Sequence, residues 1–396
     1  MKAAAFLLLC AAPSGGFAVD KVWTGGNNTT RWNIGTNWLP TTSPTDNTTS
    51  DIAVFSGPLT TYQPNVNVAT RSISGLRFES AGWKLSGSGK TTADDTFGAL
   101  LTIGANGVDA SAVTAGTVTL HVNISLINLS QTWLIGTGGT LEVEGAMSQT
   151  GSNSPDWIIG SATARGTLIL SGASTVHGRT VVNGGTVKLV GAGSLGSGAL
   201  MVYGNGVLDV TAITAPTYTV GGILGGRGLI EAGVKTLTLQ ETLQPGTTGS
   251  AGWLTANTAA LTLQKGARMD LDGTSRGATS AGYDSLTVSG ELVYGGTLSL
   301  VFGEALEGDF RLFEFGSSSG ALENVLITGA WGEFSLEGLD GVWSHQLNDT
   351  LFAFSESTGL LNVTTIPEPS ALWLGLSAGL LLVGRKIARR SAFFAV

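Results

Sequence analysis

Residues 166–172 read GTLILSG, residues 183–189 read NGGTVKL and residues 205–210 read NGVLDV. Each phrase carries a glycine followed by Thr or Val, and then sets aliphatic residues two apart: Leu168 and Leu170, Val187 and Leu189, Leu208 and Val210. Side chains two apart on a strand share a face, so each phrase predicts a strand with one buried side. The same phrase starts at Gly116, Gly139 and Gly228, and the six copies are 19 to 27 residues apart. A unit of roughly 20 residues cannot bury its own apolar face, whereas stacked units cover one another. Asn183-Gly184 and Asn205-Gly206 supply the turns between strands. A hairpin sandwich would repeat about every 8–12 residues instead. The expected fold is therefore all-β: a right-handed parallel β-helix, or solenoid, over residues 101–245.

Composition supports this. The chain has 396 residues, of which 59 are Gly, 42% are hydrophobic and only 12% are charged. Disorder needs the opposite balance. Glycine adopts positive φ without a Cβ clash, which suits many tight turns. The net charge of −8 and the lack of a basic tract before the extreme C-terminus argue against nucleic acid as a partner. Cys10 is the one cysteine, and His121, His177 and His345 are far apart, so the sequence spells out no disulfide, thiol or His-rich metal chemistry.

Residues 166–226 resemble the autotransporter-associated β-strand repeat through GTLILSG and the later VNGGTV of residues 182–187. Members of that family are surface-exposed β-helical passengers. Residues 19–100 are expected to form an N-terminal cap and the first strands. Their Trp23, Trp32 and Trp38 predict a plug over the open end of the solenoid rather than a sugar-stacking platform. From about Gly246 the texture becomes more aromatic, as in Phe310, Phe313 and Phe315, so residues 246–365 are expected to be a β-rich C-terminal module that caps the stack.

The two ends carry addresses. Met1 and Lys2 precede an apolar run, and Gly16-Phe17-Ala18 is a small-x-small site, which predicts a signal peptide over residues 1–18 cleaved after Ala18. At the other end Pro367, Glu368 and Pro369 precede an apolar helix expected at residues 371–384, then the basic residues Arg385, Lys386, Arg389 and Arg390. The apolar run of about 14 residues makes roughly 21 Å of helix, short of a ~30 Å hydrocarbon core, and suits a temporary anchor with its basic flank in the cytoplasm. Residues 366–390 resemble the PEP-CTERM sorting signal of Gram-negative bacteria. That resemblance implies an exosortase-like membrane protease as a partner, cleavage near Pro367, Glu368 and Pro369, at least transient inner-membrane anchoring, and association with extracellular polysaccharide.

Several motif matches fail on context. Residues 191–196 fit G-x-G-x-x-G, but a strand follows where a phosphate-binding helix should start. Residues 375–379 fit G-x-S-x-G inside the apolar tail, with no histidine adjacent. Asp270 and Asp272 share a strand face, and are expected to be solvated while Met269 and Leu271 are buried; as oxygen donors they are also the one calcium candidate. Asp284 is expected to cap a turn before the next strand. The Thr-x-Thr pairs at 117/119, 217/219 and 236/238 suggest ice binding only if they share one facet on consecutive coils.

The sequence thus names no catalytic, cofactor or metal residue. It predicts an exported, non-enzymatic, structural or adhesive solenoid at the cell surface or in the matrix. A carbohydrate-active β-helix lyase or hydrolase is the alternative, and ice binding a minor one.

Overall fold

The computed structural model describes residues 18–59, 61–87, 98–247, 250–277 and 282–366. Its regular structure is almost entirely β, with a single short 3-10 turn at Gly35–Asn37 among the described residues. The glycine phrase stacks on itself. Gly116 lies beside Gly139, Thr140 beside Thr167, Thr167 beside Thr186, Gly185 beside Gly206 and Val207 beside Leu229, every pair parallel. Parallel partners about one repeat apart in sequence are what a wound chain makes and hairpins do not.

Three parallel faces result. The phrase strands form an 11-stranded sheet. A second, longer face includes Leu100–Ala110, Gln131–Ile135, Asp156–Ile159, Arg179–Val182, Leu200–Val202 and Leu224–Gly226. A third face of five strands begins at Thr217–Val220 and continues through Thr236–Leu239, Ala260–Leu263 and Glu291–Tyr294.

The core is a set of aliphatic files. Val118, Leu141, Leu168, Val187, Leu208 and Ile230 occupy one register position on successive coils, each at most 1% exposed. Leu120, Val143, Leu170 and Leu189 form the adjacent file. Burying each such side chain contributes about 1.5–3 kcal/mol.

Both ends of the stack are closed. Trp23, Trp32 and Trp38 are at most 2% exposed and pack edge to face, with ring centroids 5.0 and 4.8 Å apart. The Trp38 indole N–H donates to the Trp32 carbonyl at 2.7 Å, and that of Trp23 to the Tyr62 carbonyl at 3.0 Å. These rings are a plug, and no sugar can stack on them. Beyond Gly246 the parallel stack continues, through Gly266–Leu271, Thr297–Phe302 and Asn324–Gly329. The closing element is an antiparallel sheet of Gly308–Arg311, Glu337–Leu339, Val342–Leu347, Thr350–Ser355 and Leu360–Thr365. Its Phe352 and Phe354 are buried against Phe302 and Phe313 of the last coils.

Among the described residues no helix is long and apolar enough to cross a membrane. Most of the expected signal peptide, the sorting residues Pro367, Glu368 and Pro369, the anchor at 371–384, and Arg385, Lys386, Arg389 and Arg390 lie outside the described residues.

Glycine is required where coils cross closely. Gly185 has φ +72, and a Cβ there would stand 2.3 Å from the Gly166 carbonyl oxygen. Gly204 has φ +52 but open space around it. Gly185→Ala is expected to lose about 3 kcal/mol through combined strain and backbone collision. Gly204→Ala is expected to lose only about 1 kcal/mol, the left-handed penalty alone. Urea denaturation of the two variants checks the ranking, and equal losses would refute the close-crossing argument.

Candidate functional site

Asp270 and Asp272 are the calcium candidates, and a lyase or hydrolase would also need carboxylates gathered on one facet. Met269 and Leu271 point into the core as expected. Asp270 does not face solvent: it is 4% exposed, because the chain after Leu271 doubles back over its own strand. Leu271 pairs antiparallel with Tyr283, the Asp272 N–H donates to the Gly282 carbonyl, and the Asp284 N–H donates to the Asp270 carbonyl. The excursion turns an outer face into an inner one. Asp270 then pairs with the Arg268 guanidinium at 2.9 Å.

Asp284 is 1% exposed, and its two oxygens accept from the N–H groups of Gly252 at 2.8 Å and Asp270 at 3.0 Å. It ties three segments together rather than capping a turn. Burial pushes its carboxyl up to about 8, against the downward pull of those two N–H groups, while Asp270 and Asp272 push it further up. Burial also raises Asp270, with Arg268 opposing. Among the described residues no group of three or more His, Cys, Asp or Glu is placed to hold a metal ion. The Arg268 guanidinium already answers the Asp270 charge, which fits poorly with a calcium ion at the same carboxylate.

Other titratable groups also serve the stack. His121 is 8% exposed and pairs with Glu144 of the next coil. Gly191, which opens the G-x-G-x-x-G match, ends the strand Gly185–Gly191, and the next element is the strand Leu200–Val202.

The threonine pairs are better ordered than their sequence positions suggest. Thr217 and Thr219 lie directly beside Thr236 and Thr238, and Thr238 beside Thr262. Thr117 is on a different face, where it heads an outward row with Thr140, Thr167 and Thr186.

One further cluster emerges only from the stacking. Two residues before the Thr or aliphatic position of each phrase, successive coils place Arg165, Gly184, Asn205, Arg227 and Trp253. These positions run along the corner between two faces. Trp253 is 44% exposed. Its indole N–H donates to the Thr287 hydroxyl at 2.8 Å, and the Arg276 guanidinium lies 4.2 Å from its ring centroid. Arg276 is itself held by Ser285, Thr287 and Glu314. Beside this plate a cleft of about 100 Å³ is lined by Tyr203, Arg227, Gly246, Thr247, Ser250 and Ala251. Burial raises the pKa of the Tyr203 hydroxyl, with Arg179 and Arg227 pulling it down. A constant offset from the phrase was the available signal, but it has meaning only once the register is known.

No family model, no curated protein and no solved structure matches this chain.

The buried carboxylates generate a pH test. Asp284 has a folded value of about 8 against an ordinary 3.8, so the folded state holds the proton more tightly. Its contribution is fully present below about pH 4 and is lost as pH rises through about 8. Thermal unfolding should show Tm falling from about pH 5 to about pH 9. Asp284→Asn should flatten that slope, with stability roughly 1–3 kcal/mol below the parent at acid pH, because its amide N–H faces a backbone donor, and with that deficit shrinking as pH rises through about 8. An unchanged slope in the variant would refute the assignment.

Proposed function

We propose that this chain is an exported, non-catalytic β-solenoid of the cell surface or extracellular matrix, structural or adhesive, working in contact with exopolysaccharide. The supporting observation is the run of outward polar rows in register over consecutive coils, on a core filled by aliphatic files. Such a surface offers long, shallow contact to an extended polymer. Asp270 and Asp284 are engaged in holding the fold together, which weakens the lyase or hydrolase alternative. In this reading the coil winds right-handed, the usual hand for parallel strands joined by crossovers.

The tail supplies the address. Residues 366–390, with Pro367, Glu368, Pro369 and the basic Arg385, Lys386, Arg389 and Arg390, support sorting by an exosortase-type protease after anchoring through residues 371–384. Ice binding remains a second reading, favoured by the stacked Thr217/Thr219 and Thr236/Thr238 pairs. The Thr217/Thr236 row already ends at Ala260, and the Thr219/Thr238/Thr262 row ends at Val293.

Cell fractionation with mass spectrometry of both termini tests the address. The mature protein should begin at Val19, end close to Pro367–Pro369 and leave the inner membrane. A mature chain that keeps Arg389 and stays in the inner membrane would overturn sorting.

A further inference from the structure

We infer that the corner cleft of Tyr203 and Arg227, together with the Trp253 plate, binds an oligosaccharide bearing carboxylates; this rests on the reading of the protein as a polysaccharide-contacting solenoid. Arg227 is exposed at the lip of the cleft. Its arginine neighbours are already committed: Arg179 to Asp156 at 2.6 Å, Arg268 to Asp270 at 2.9 Å and Arg276 to Glu314 at 2.8 Å. Arg227 has no carboxylate within ion-pair distance among the described residues, and neither has Arg165. In a chain of net charge −8, unpaired guanidinium on one corner makes a local site for an anion. The planar fork of an arginine takes a carboxylate through two parallel hydrogen bonds.

The rest of the cleft is suited to sugar. The hydroxyls of Tyr203, Thr247 and Ser250 line it and both donate and accept hydrogen bonds. One coil further along, Trp253 presents a half-exposed indole fixed by Thr287 and Arg276. An aromatic plate fixed in advance contacts the C–H face of a sugar ring without the ordering loss a mobile side chain incurs.

The arrangement also has a direction. Neighbouring coils are about 4.8 Å apart, so Arg165, Asn205, Arg227 and Trp253 line the corner over roughly 19 Å. The Asn205 amide oxygen, turned to satisfy both groups, accepts from Arg165 at 3.0 Å, which holds that guanidinium on the same line. A linear acidic chain lying parallel to the solenoid axis meets a cation, a hydroxyl-lined cleft, a second cation and an apolar plate in turn. A nucleic acid would need a denser array of cations than two unpaired arginines.

Calorimetric titration of the full chain with oligogalacturonate at low salt tests the site, with the methyl-esterified oligomer as neutral control. Oligogalacturonate should bind at least about tenfold more tightly than its ester, the scale of one charge-assisted hydrogen bond. R227Q and W253A should each weaken it at least about tenfold, and R227K, which keeps the charge without the fork, should fall between. Because Arg227 is exposed and unpaired among the described residues, R227Q should melt with the parent chain, and the melting curve of W253A, which also gives up the Thr287 and Arg276 contacts, separates lost binding from lost folding. Wild-type affinity in both R227Q and W253A would overturn the site while leaving polysaccharide contact standing. Equal binding of the ester, or of a single-stranded oligonucleotide, would overturn the carboxylate specificity. Failure of the full chain to hold any acidic or neutral glycan would overturn both the site and the reading beneath it.

Discussion

One coil of this chain cannot keep its aliphatic residues dry; only the coils above and below can. Everything else in the structure follows from that dependence. The parallel ladder must hold one register so that Leu141 meets Val118 on one side and Leu168 on the other. A slip of one residue would turn every such side chain to solvent. Repeat length, by contrast, is free to vary from 19 to 27 residues, because the extra residues leave at the corners and rejoin in register. The glycine content is a consequence. At Gly139 a Cβ would lie 1.9 Å from the Val113 carbonyl oxygen, so the polypeptide backbones themselves are the packing surface there.

A stack has two ends, and each end coil lacks one neighbour. The protein closes them with different chemistry. The N-terminal end uses three tryptophans, of which Trp23 and Trp38 donate their N–H groups to backbone carbonyls, together with Asn37, fully buried and bonded to Thr29 and Arg31. The C-terminal end uses an antiparallel sheet whose phenylalanines carry no polar group to satisfy. Closure by hairpins also ends the parallel ladder without leaving a long flat edge open to another chain.

The repeat, its strands and its register were legible because period-two alternation and a recurring glycine are local signals. The tryptophan plug was legible for a similar reason: large rings at the head of a stack have only the open end to cover. Asp270 shows where such reading stops. Alternation correctly put it opposite Met269 and Leu271, yet opposite the core meant solvent only until residues 272–284 folded back over the strand. Nothing local announces that excursion. Asp284 was misjudged for the same reason, since its partners Gly252 and Asp270 are 32 and 14 residues away. The break in texture near Gly246 is real in composition, but the stack passes through it, because coils need aliphatic files and can take them from aromatic neighbours as well.

The faces and the corners of this molecule are under different constraints. On a face, each outward side chain has fixed neighbours one coil away, and charges there tend to be answered across the ladder, as Lys188 is by Asp209 and Arg179 by Asp156. Exposed pairs of this kind are worth only about 0–1 kcal/mol each, yet like charges stacked a coil apart would repel, so pairing helps select the register. A corner escapes that rule. Its loops vary in length, its side chains have no obligatory partner, and a substitution there leaves the aliphatic files untouched. Unanswered groups such as Arg227, and an exposed ring such as Trp253, can therefore persist at a corner without weakening the stack. A rigid ladder that leaves its corners free is able to vary what it binds while keeping its fold.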